Sequence, residues 1–443
     1  MKRYKEYQTI SLPWLNNIPA NWTMHRNKVF LHESKDAVGN NSKDYILLSL
    51  TLNGIIPRDV SSGKGKFPSD FGTYKIIRPN DIVFCLFDID ETPRTVGLSN
   101  LNGMLTGAYD VFHISGINSR YLLYYYLYLD NVKALRPLYK GLRKTINIDT
   151  FLGTRMPVPP SAEQDQIVRY LDWQVSKINR LIAAKRKEIE LLEATTAHYL
   201  ENTIHKGIRN EQLVETGNPW INTAPKSWKK VRHKNVLTEK KEVVGENYSQ
   251  YTLLSLTTKG VIIRDTSSGK GKYPSDFSTY QAVNPFDMVF CLFDVDETPR
   301  TVGLSTHTGM ITGAYTVYET HDALPEYLLY YFLSIDNKKG FKPLYSGLRK
   351  VIGKDVFSRQ AIYLPSIEEQ KEIVDAIQIR QAKSRNAIDL LEREIESLHD
   401  LRTRLISDVV TGQVDVRGIE VPEFEYVGEA DVAEEQDEES EVG

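Results

Sequence analysis

Residues 83–99 read VFCLFDIDETPRTVGLS, and residues 289–305 repeat them with one change, Ile89 to Val295. The offset of 206 positions holds far beyond this stretch. Pro13-Trp14 recurs as Pro219-Trp220, and SSGKGKFPSDF (61–71) as SSGKGKYPSDF (267–277). LTGAYDV (105–111) returns as ITGAYTV (311–317), PLYKGLRK (137–144) as PLYSGLRK (343–350), and Glu163-Gln164 as Glu369-Gln370. No insertion is needed to keep this frame. Solenoid units run only ~20–50 residues, so a period this long means two whole domains, each with its own trailing segment. The total of 443 residues fits that division at about 100–200 residues per domain.

Each copy has the same internal order. Its first part is rich in Gly, Pro, Tyr and Thr, with short apolar runs such as YILLSL and DIVFCLF that read as strands between turns. SRYLLYYYLYLDN (119–131) is too long for a typical strand and reads as a helix, its tyrosines serving packing. After MPVPP, residues 161–203 hold no Gly and no Pro. Val168, Leu171, Val175, Ile178, Ile182, Lys185, Ile189, Leu192, Thr196 and Tyr199 then recur in alternating steps of three and four, the heptad signature. The second copy keeps the seam through Val374, Ile377, Ile388, Leu391, Ile395, Leu398 and Leu405, with polar interruptions. Ser161 with Gln164, and Ser366 with Glu369, have the spacing of capping boxes. A helix of about 40 residues reaches ~60 Å and needs a partner for its apolar seam.

The expected fold is therefore α+β. Two similar globular domains are each followed by a long helix. The helices pair as an antiparallel coiled coil through Leu171, Val175, Ile178, Ile182, Ile189 and Leu192 on one side, and Ile377, Ile388, Leu391, Ile395 and Leu398 on the other, with pseudo-twofold symmetry. The expected boundaries are 1–155 for the first domain, 156–207 for its helix, 208–361 for the second domain, 362–413 for its helix, and 414–443 for a disordered acidic tail.

Charge sharpens the picture. The net charge is −3, but eleven acidic residues lie between Glu420 and Glu441, and without them the remainder carries +8. A basic body points to a polyanionic partner. The two cysteines, Cys85 and Cys291, hold the same place in each copy, inside an apolar run. They read as buried structural thiols in a reducing cytoplasm, with no zinc site and no disulfide framework. No stretch has the ~20 apolar residues of a membrane helix, and the first ten residues lack the apolar core of a secretory signal.

Three duplicated motifs carry chemistry. SSGKGK offers amides and Lys64 and Lys66 (Lys270 and Lys272 in the second copy) to phosphate, but it is not a Walker A loop, because Phe67 or Tyr273 follows. GLRK supplies Arg143 and Lys144, preceded by Tyr139, and Arg349 and Lys350, preceded by Tyr345. Arginine grips phosphate, or guanine bidentately. Arg58 and Arg264 join the DNA-binding set. In FDIDETPR, the acids pair with Arg94 (Arg300 in the copy) or orient it toward a base or phosphate. The competing reading makes Asp88, Asp90 and Glu91, with Asp294, Asp296 and Glu297, the metal site of a self-contained nuclease. A third reading is a coiled-coil adaptor binding protein. No methyltransferase N-P-P-aromatic motif, no G-x-G-x-x-G loop and no Ser/His/Asp arrangement is present. No residue is assigned a catalytic or metal-binding role.

The pattern resembles the specificity subunits of type I restriction–modification systems. WLNNIPANW (14–22) and WINTAPKSW (220–228) are similar to the family's domain start, with Ala224 departing where the first copy has Ile18. GLRKTINIDTFLGTRMPVPPSAEQDQIV (141–168) and GLRKVIGKDVFSRQAIYLPSIEEQKEIV (347–374) resemble its passage from Pro through Glu-Gln and Ile-Val into the long helix. The resemblance spans nearly the whole chain except the acidic tail. It implies that each globular copy is a target recognition domain reading one half of a split duplex sequence. It implies that the helices set the gap and dock two modification subunits. Those partners bring S-adenosylmethionine and methylate adenine, restriction subunits join them to translocate and cleave, and this chain holds no cofactor and catalyses nothing. Two similar readers related by a twofold imply a nearly palindromic, interrupted target.

Overall fold

The structure, a computed structural model, describes residues 2–58, 70–139, 144–218, 220–264, 276–345, 347 and 350–428. Its α-helices are α1 (Ser119–Asn131), α2 (Ile148–Gly153), α3 (Ser161–Lys206), α4 (Pro325–Asp336), α5 (Lys354–Arg359) and α6 (Ile367–Val410). The chain divides into two compact units: Met1–Glu188 together with Leu390–Gly443, and Ile189–Asp389. The division cuts through both long helices, so each unit holds one globular domain and a part of each helix.

In the first unit a four-stranded antiparallel sheet takes the order 31–34, 110–114, 82–84, 96–98. The run DIVFCLF explains itself here. Ile82, Phe84 and Leu86 face the large core cluster that contains α1. Val83 and Cys85 face a second cluster with Leu48, Leu50, Ile77, Leu105 and Val111. A strand covered on both faces needs apolar residues at every position, and Cys85 is buried as a small hydrophobe. The hairpin 48–57 lies so close to the strand 96–98 that a Cβ on Gly97 would sit 2.6 Å from the Leu50 side chain. That approach is why the repeated stretch carries Gly in VGL.

The tyrosines of α1 are core residues with anchored hydroxyls. Tyr121 donates to the Pro157 carbonyl at 3.0 Å, Tyr124 to Asp172 at 2.7 Å, and Tyr128 to the Trp14 carbonyl at 3.1 Å. Asn118 caps the helix by accepting from the amides of Arg120 and Tyr121.

The second unit repeats this plan. Its sheet runs 237–240, 316–320, 288–290, 302–304, with Met288 opposite Tyr318 as Ile82 is opposite Phe112. The exit strands 155–158 and 361–364 pair antiparallel with 23–26 and 229–232. Gly303 meets Leu256 as Gly97 meets Leu50.

Within each unit the two long helices pair antiparallel. In the first, Asn179 accepts from Arg402 at 3.0 Å and Lys185 pairs with Glu394, so the partner recedes as α3 advances. Leu171, Val175, Ile178 and Ile182 are buried in the same cluster as Leu405, Ile406 and Val409, with Ile395 and Leu398 packed against it. Leu391 is buried. In the second unit, Arg380 lies over the Tyr199 ring at 5.8 Å and Arg209 pairs with Glu372 at 2.9 Å. There Ile377 is in the core with Ile204, Ile373 and Val374, while Ile189, Leu192 and Ile388 are half-buried.

Two expectations are corrected. The capping box at Ser161 is not formed by Gln164, whose amide instead accepts from the Asn118 N–H at 2.9 Å and donates to the Pro159 carbonyl. Ser366 does accept from the Glu369 amide, at 3.3 Å. Nor is the segment from 414 onward solvated as a whole. Val414, Val416 and Val421 are buried in the first unit's core, and Gln166, Arg169, Asn179 and Arg180 of α3 donate to carbonyls between Val416 and Val427. Its apolar side chains recur every two or three residues and find a groove, which outweighs its acidity. Residues 429–443 lie outside the described residues.

Candidate nucleic-acid interface

The duplicated stretch builds a turn tied to a helix end. Residues Asp88 and Asp294 stand at φ +45° and +46°, a conformation L-residues with side chains adopt at a cost. Glu91 and Thr92 return their amides to the Asp88 carbonyl. Arg94 does not pair with the acids beside it. It is only 9% exposed and sits 3.6 Å from Asp130 at the C-terminal end of α1, with a further bond to the Leu52 carbonyl. Asp130 also accepts from the Thr95 amide and from Lys133. Arg300, Asp336, Thr301 and Lys339 repeat this arrangement. Both arginines thus hold their domains together internally, because the buried carboxylate attracts them more strongly than the exposed one.

The acids of the turn have other partners. Asp90 accepts from Arg136 Nε at 2.8 Å and from the Tyr139 hydroxyl at 3.0 Å, with Lys144 Nζ at 3.5 Å. Lys144 also reaches Glu91 at 3.0 Å. In the second unit Tyr345 donates to Asp296 at 2.9 Å, and Lys350 lies 3.5 Å from Asp296 and 3.0 Å from Glu297. Lys342 stands 3.9 Å away, at the place of Arg136. Desolvation pushes the Asp90 carboxyl toward a higher pKa, but the bonds from Arg136 and Tyr139 outweigh it and hold the group below its usual range. The hydrogen bond to Glu91 raises Lys144, and that to Glu297 raises Lys350.

Arg136 and Lys342 were not singled out from the sequence. The signal was present, since both are basic at the 206 offset, immediately before the Pro-Leu-Tyr they share.

Arg58 and Arg264 lie exposed at the ends of the hairpins 48–57 and 254–263, their amides bonded to the Leu47 and Leu253 carbonyls. Lys64, Lys66, Arg143, Lys270, Lys272 and Arg349 lie outside the described residues. Among the described residues, no group of three or more His, Cys, Asp or Glu side chains is placed to hold a metal ion. Asp90 and Asp296 are instead neutralised by cations, which disfavours the nuclease reading. No helix among the described residues is long and apolar enough to cross a membrane.

The sequence profile of the type I restriction modification DNA specificity domain matches residues 32–191 and 310–397. The chain therefore belongs to the family of type I restriction–modification specificity subunits. DNA specificity within such a system is its function. A solved chain described under the assembly and conformational transition of the type I R-M system shares the fold. It is 14% identical, has a TM-score of 0.61, and the match covers 90% of this chain and 99% of that one. The HsdS subunit from Thermoanaerobacter tengcongensis is 17% identical over 90% and 98% of the two chains, with a TM-score of 0.45. The type I S subunit from M. genitalium is 13% identical over 91% and 99%, with a TM-score of 0.32. No curated protein sequence matches the chain.

Proposed function

We propose that each unit reads one half of an interrupted, nearly palindromic duplex target. The observation that carries this reading is the duplication itself. The two units share sheet order, register, the tyrosine-rich or Tyr/Phe-bearing helix, and the cluster around Asp90 and Asp296. Readers built alike recognise similar half-sites, as dimeric DNA readers do. The contacts to DNA come from Arg58, Lys64, Lys66 and Arg143, with Arg264, Lys270, Lys272 and Arg349 in the second copy. Tyr139, Lys144, Tyr345 and Lys350 border them. Arg94 and Arg300 are left out of this set because both face buried carboxylates.

The paired helices set the distance between half-sites and dock two modification subunits. Those partners bind S-adenosylmethionine and transfer its methyl group to adenine, and restriction subunits complete the assembly in the cytoplasm. This chain supplies recognition and no chemistry. The test is to co-express it with its modification partner and map the methylated adenines. Two related half-sites on opposite strands, separated by a fixed gap, are expected. Two unrelated half-sites overturn the proposal, as does a purified chain that cuts DNA with Mg²⁺.

A further inference from the structure

Arg94 and Arg300 hold the same place in the two copies, yet their guanidinium groups end differently. Both turn Nη1 to the helix end. Arg94 lies 3.4 Å from Asn131 and 3.6 Å from Asp130, Arg300 2.9 Å from Asn337 and 3.6 Å from Asp336. Arg94 Nη2 then donates to the Leu52 carbonyl, at the tip of the hairpin 48–57. Arg300 has no such bond to its own hairpin, and its Nη2 and Nε have no partner among the described residues. A guanidinium carries five N–H donors in a fixed fork, so one edge of Arg300 is left for an acceptor from outside the chain. Its side chain is 20% exposed, against 9% for Arg94.

Arg300 lines a cleft of about 230 Å³ between the hairpin 254–263, the strand 302–304 and α4. The exposed Thr258, Lys259 and Thr306 line it too, and Val302, Leu329 and Leu333 give it an apolar side. Its walls are fixed. A Cβ on Gly303 would sit 2.6 Å from the Leu256 side chain, so hairpin and strand touch. The tip is held by Thr257 Oγ1, which accepts from the Lys259 amide and donates to the Gly260 carbonyl, both at 3.1 Å. The copies also diverge here. The stretch 83–99 and its repeat differ at one position, whereas three lining positions differ: Leu52 against Thr258, Asn53 against Lys259, and Asn100 against Thr306. The second copy thus gains a cation and two hydroxyls around an arginine that has an edge to offer.

We propose that this cleft takes one backbone phosphate of the half-site read by the second unit, held by Lys259 and the unpartnered edge of Arg300. A guanidinium edge, an ammonium and hydroxyls are the donors that phosphate oxygens accept from, and an apolar wall suits the deoxyribose beside them. The inference rests on the recognition function proposed above, and it adds Lys259 and one edge of Arg300 to the contacts given there. Asp336 takes only the Nη1 end of that arginine. In the first unit the hairpin carbonyl occupies Arg94 Nη2, and Asn53 brings no charge. Two readers alike in their sheets are therefore unequal in their hold on the backbone.

The test uses the full chain bound to its modification subunits. Affinity is measured against salt on a duplex carrying the mapped target and on a scrambled one. Lys259→Asn, which installs the residue the first copy carries, is expected to make the slope of log K against log salt shallower by ~1. It weakens both duplexes alike, so the target-to-scrambled ratio stays. Arg300→Lys keeps a charge toward Asp336 but gives up the fork, and it weakens both duplexes with the thermal midpoint close to wild type. Single phosphates of the target are then replaced by neutral methylphosphonates. One position in one half-site weakens the wild type and is silent in Lys259→Asn, while its mirror position in the other half-site is silent in both. An unchanged slope overturns the proposal, as does a scan with no such position, or losses that follow the thermal midpoint. Inorganic phosphate that slows amide exchange at 256–261, with both DNA readouts unmoved by the substitutions, assigns the cleft to a free anion and overturns the DNA contact. A wild type that binds both duplexes equally overturns the recognition function itself, and shows this before any substitution is made.

Discussion

Trp22 donates its indole N–H to Glu163 Oε1 at 2.7 Å, and the same pair recurs as Trp228 and Glu369 at 3.4 Å. The tryptophan ends the domain's opening motif and the glutamate begins the long helix, so the bond joins domain to helix in each unit. Gln164 and Gln370 add a second tie, accepting from the amides of Asn118 and Leu324 at 2.9 and 2.8 Å. The repeated Glu-Gln is thus a joint, and the two joints are unequal. Both glutamates are buried, but Glu163 also accepts from Tyr4 at 2.5 Å and Asn21 at 2.8 Å.

The inequality sets the first prediction. Glu163→Ala leaves the buried Tyr4 and Trp22 donors unpaired at ~1–3 kcal/mol each, so the first unit loses roughly 3 kcal/mol. Glu369→Ala strands fewer partners and costs about half as much. Urea denaturation of the two variants measures the difference, and equal losses would contradict the geometry.

The strap that follows α6 gives the second. Gly412 turns at φ +72° against Pro19 and Trp22, and the Asp415 amide bonds the Lys2 carbonyl. Ending the chain after Gly412 removes three buried valines, at about 1.5 kcal/mol each, and destabilises the first unit by roughly 4 kcal/mol. Ending it after Gly428 leaves stability near that of the full chain. Amide exchange resolved by unit reads both.

Acid acts on the second unit. Its His205 and His233 are buried, and desolvation lowers them to about 4 and about 3. His205 Nε2 shares a hydrogen bond with the Ser334 hydroxyl at 2.9 Å, and His233 packs edge-on against Phe332 and Phe357. Both folded values lie below the unfolded one of ~6.5, so the unfolded chain takes up protons first as pH falls. The stabilising effect is full above ~6.5 and is lost on acidification toward 4, by roughly 3 kcal/mol per histidine. No histidine of the first unit is buried among the described residues. Thermal scans between pH 7 and 4.5 should show the second unit softening first. His233→Asn, which installs the residue type found at Asn27, should flatten that slope.

Salt dependence tests the proposed DNA interface. Every side chain withdrawn from a phosphate makes the slope of log K against log salt shallower by ~1. Arg58→Ala with Arg264→Ala should therefore lower the slope by about 2, leaving target preference nearly intact. An unchanged slope removes these two residues from the interface.

Much of this molecule could be read along the chain. The repeat, the bounds of α1, the long helices and the doubly covered strand DIVFCLF all follow from periodicity and composition over a few neighbouring residues. Hydrophobic period and helix-forming tendency act locally, so they leave a local trace. The partners of charged groups left none. FDIDETPR offered Asp88, Asp90 and Glu91 to Arg94, yet Arg94 turned to Asp130, and Asp90 took Arg136, Tyr139 and Lys144 from some 50 residues away. Likewise the acidity of residues 414–428 pointed to solvent until α3 provided a groove for their valines. By itself the sequence determined that two like domains alternate with two long helices. Tertiary structure alone decided which carboxylate holds which cation and which segment is covered, because those choices turn on distance and desolvation between residues far apart in the chain.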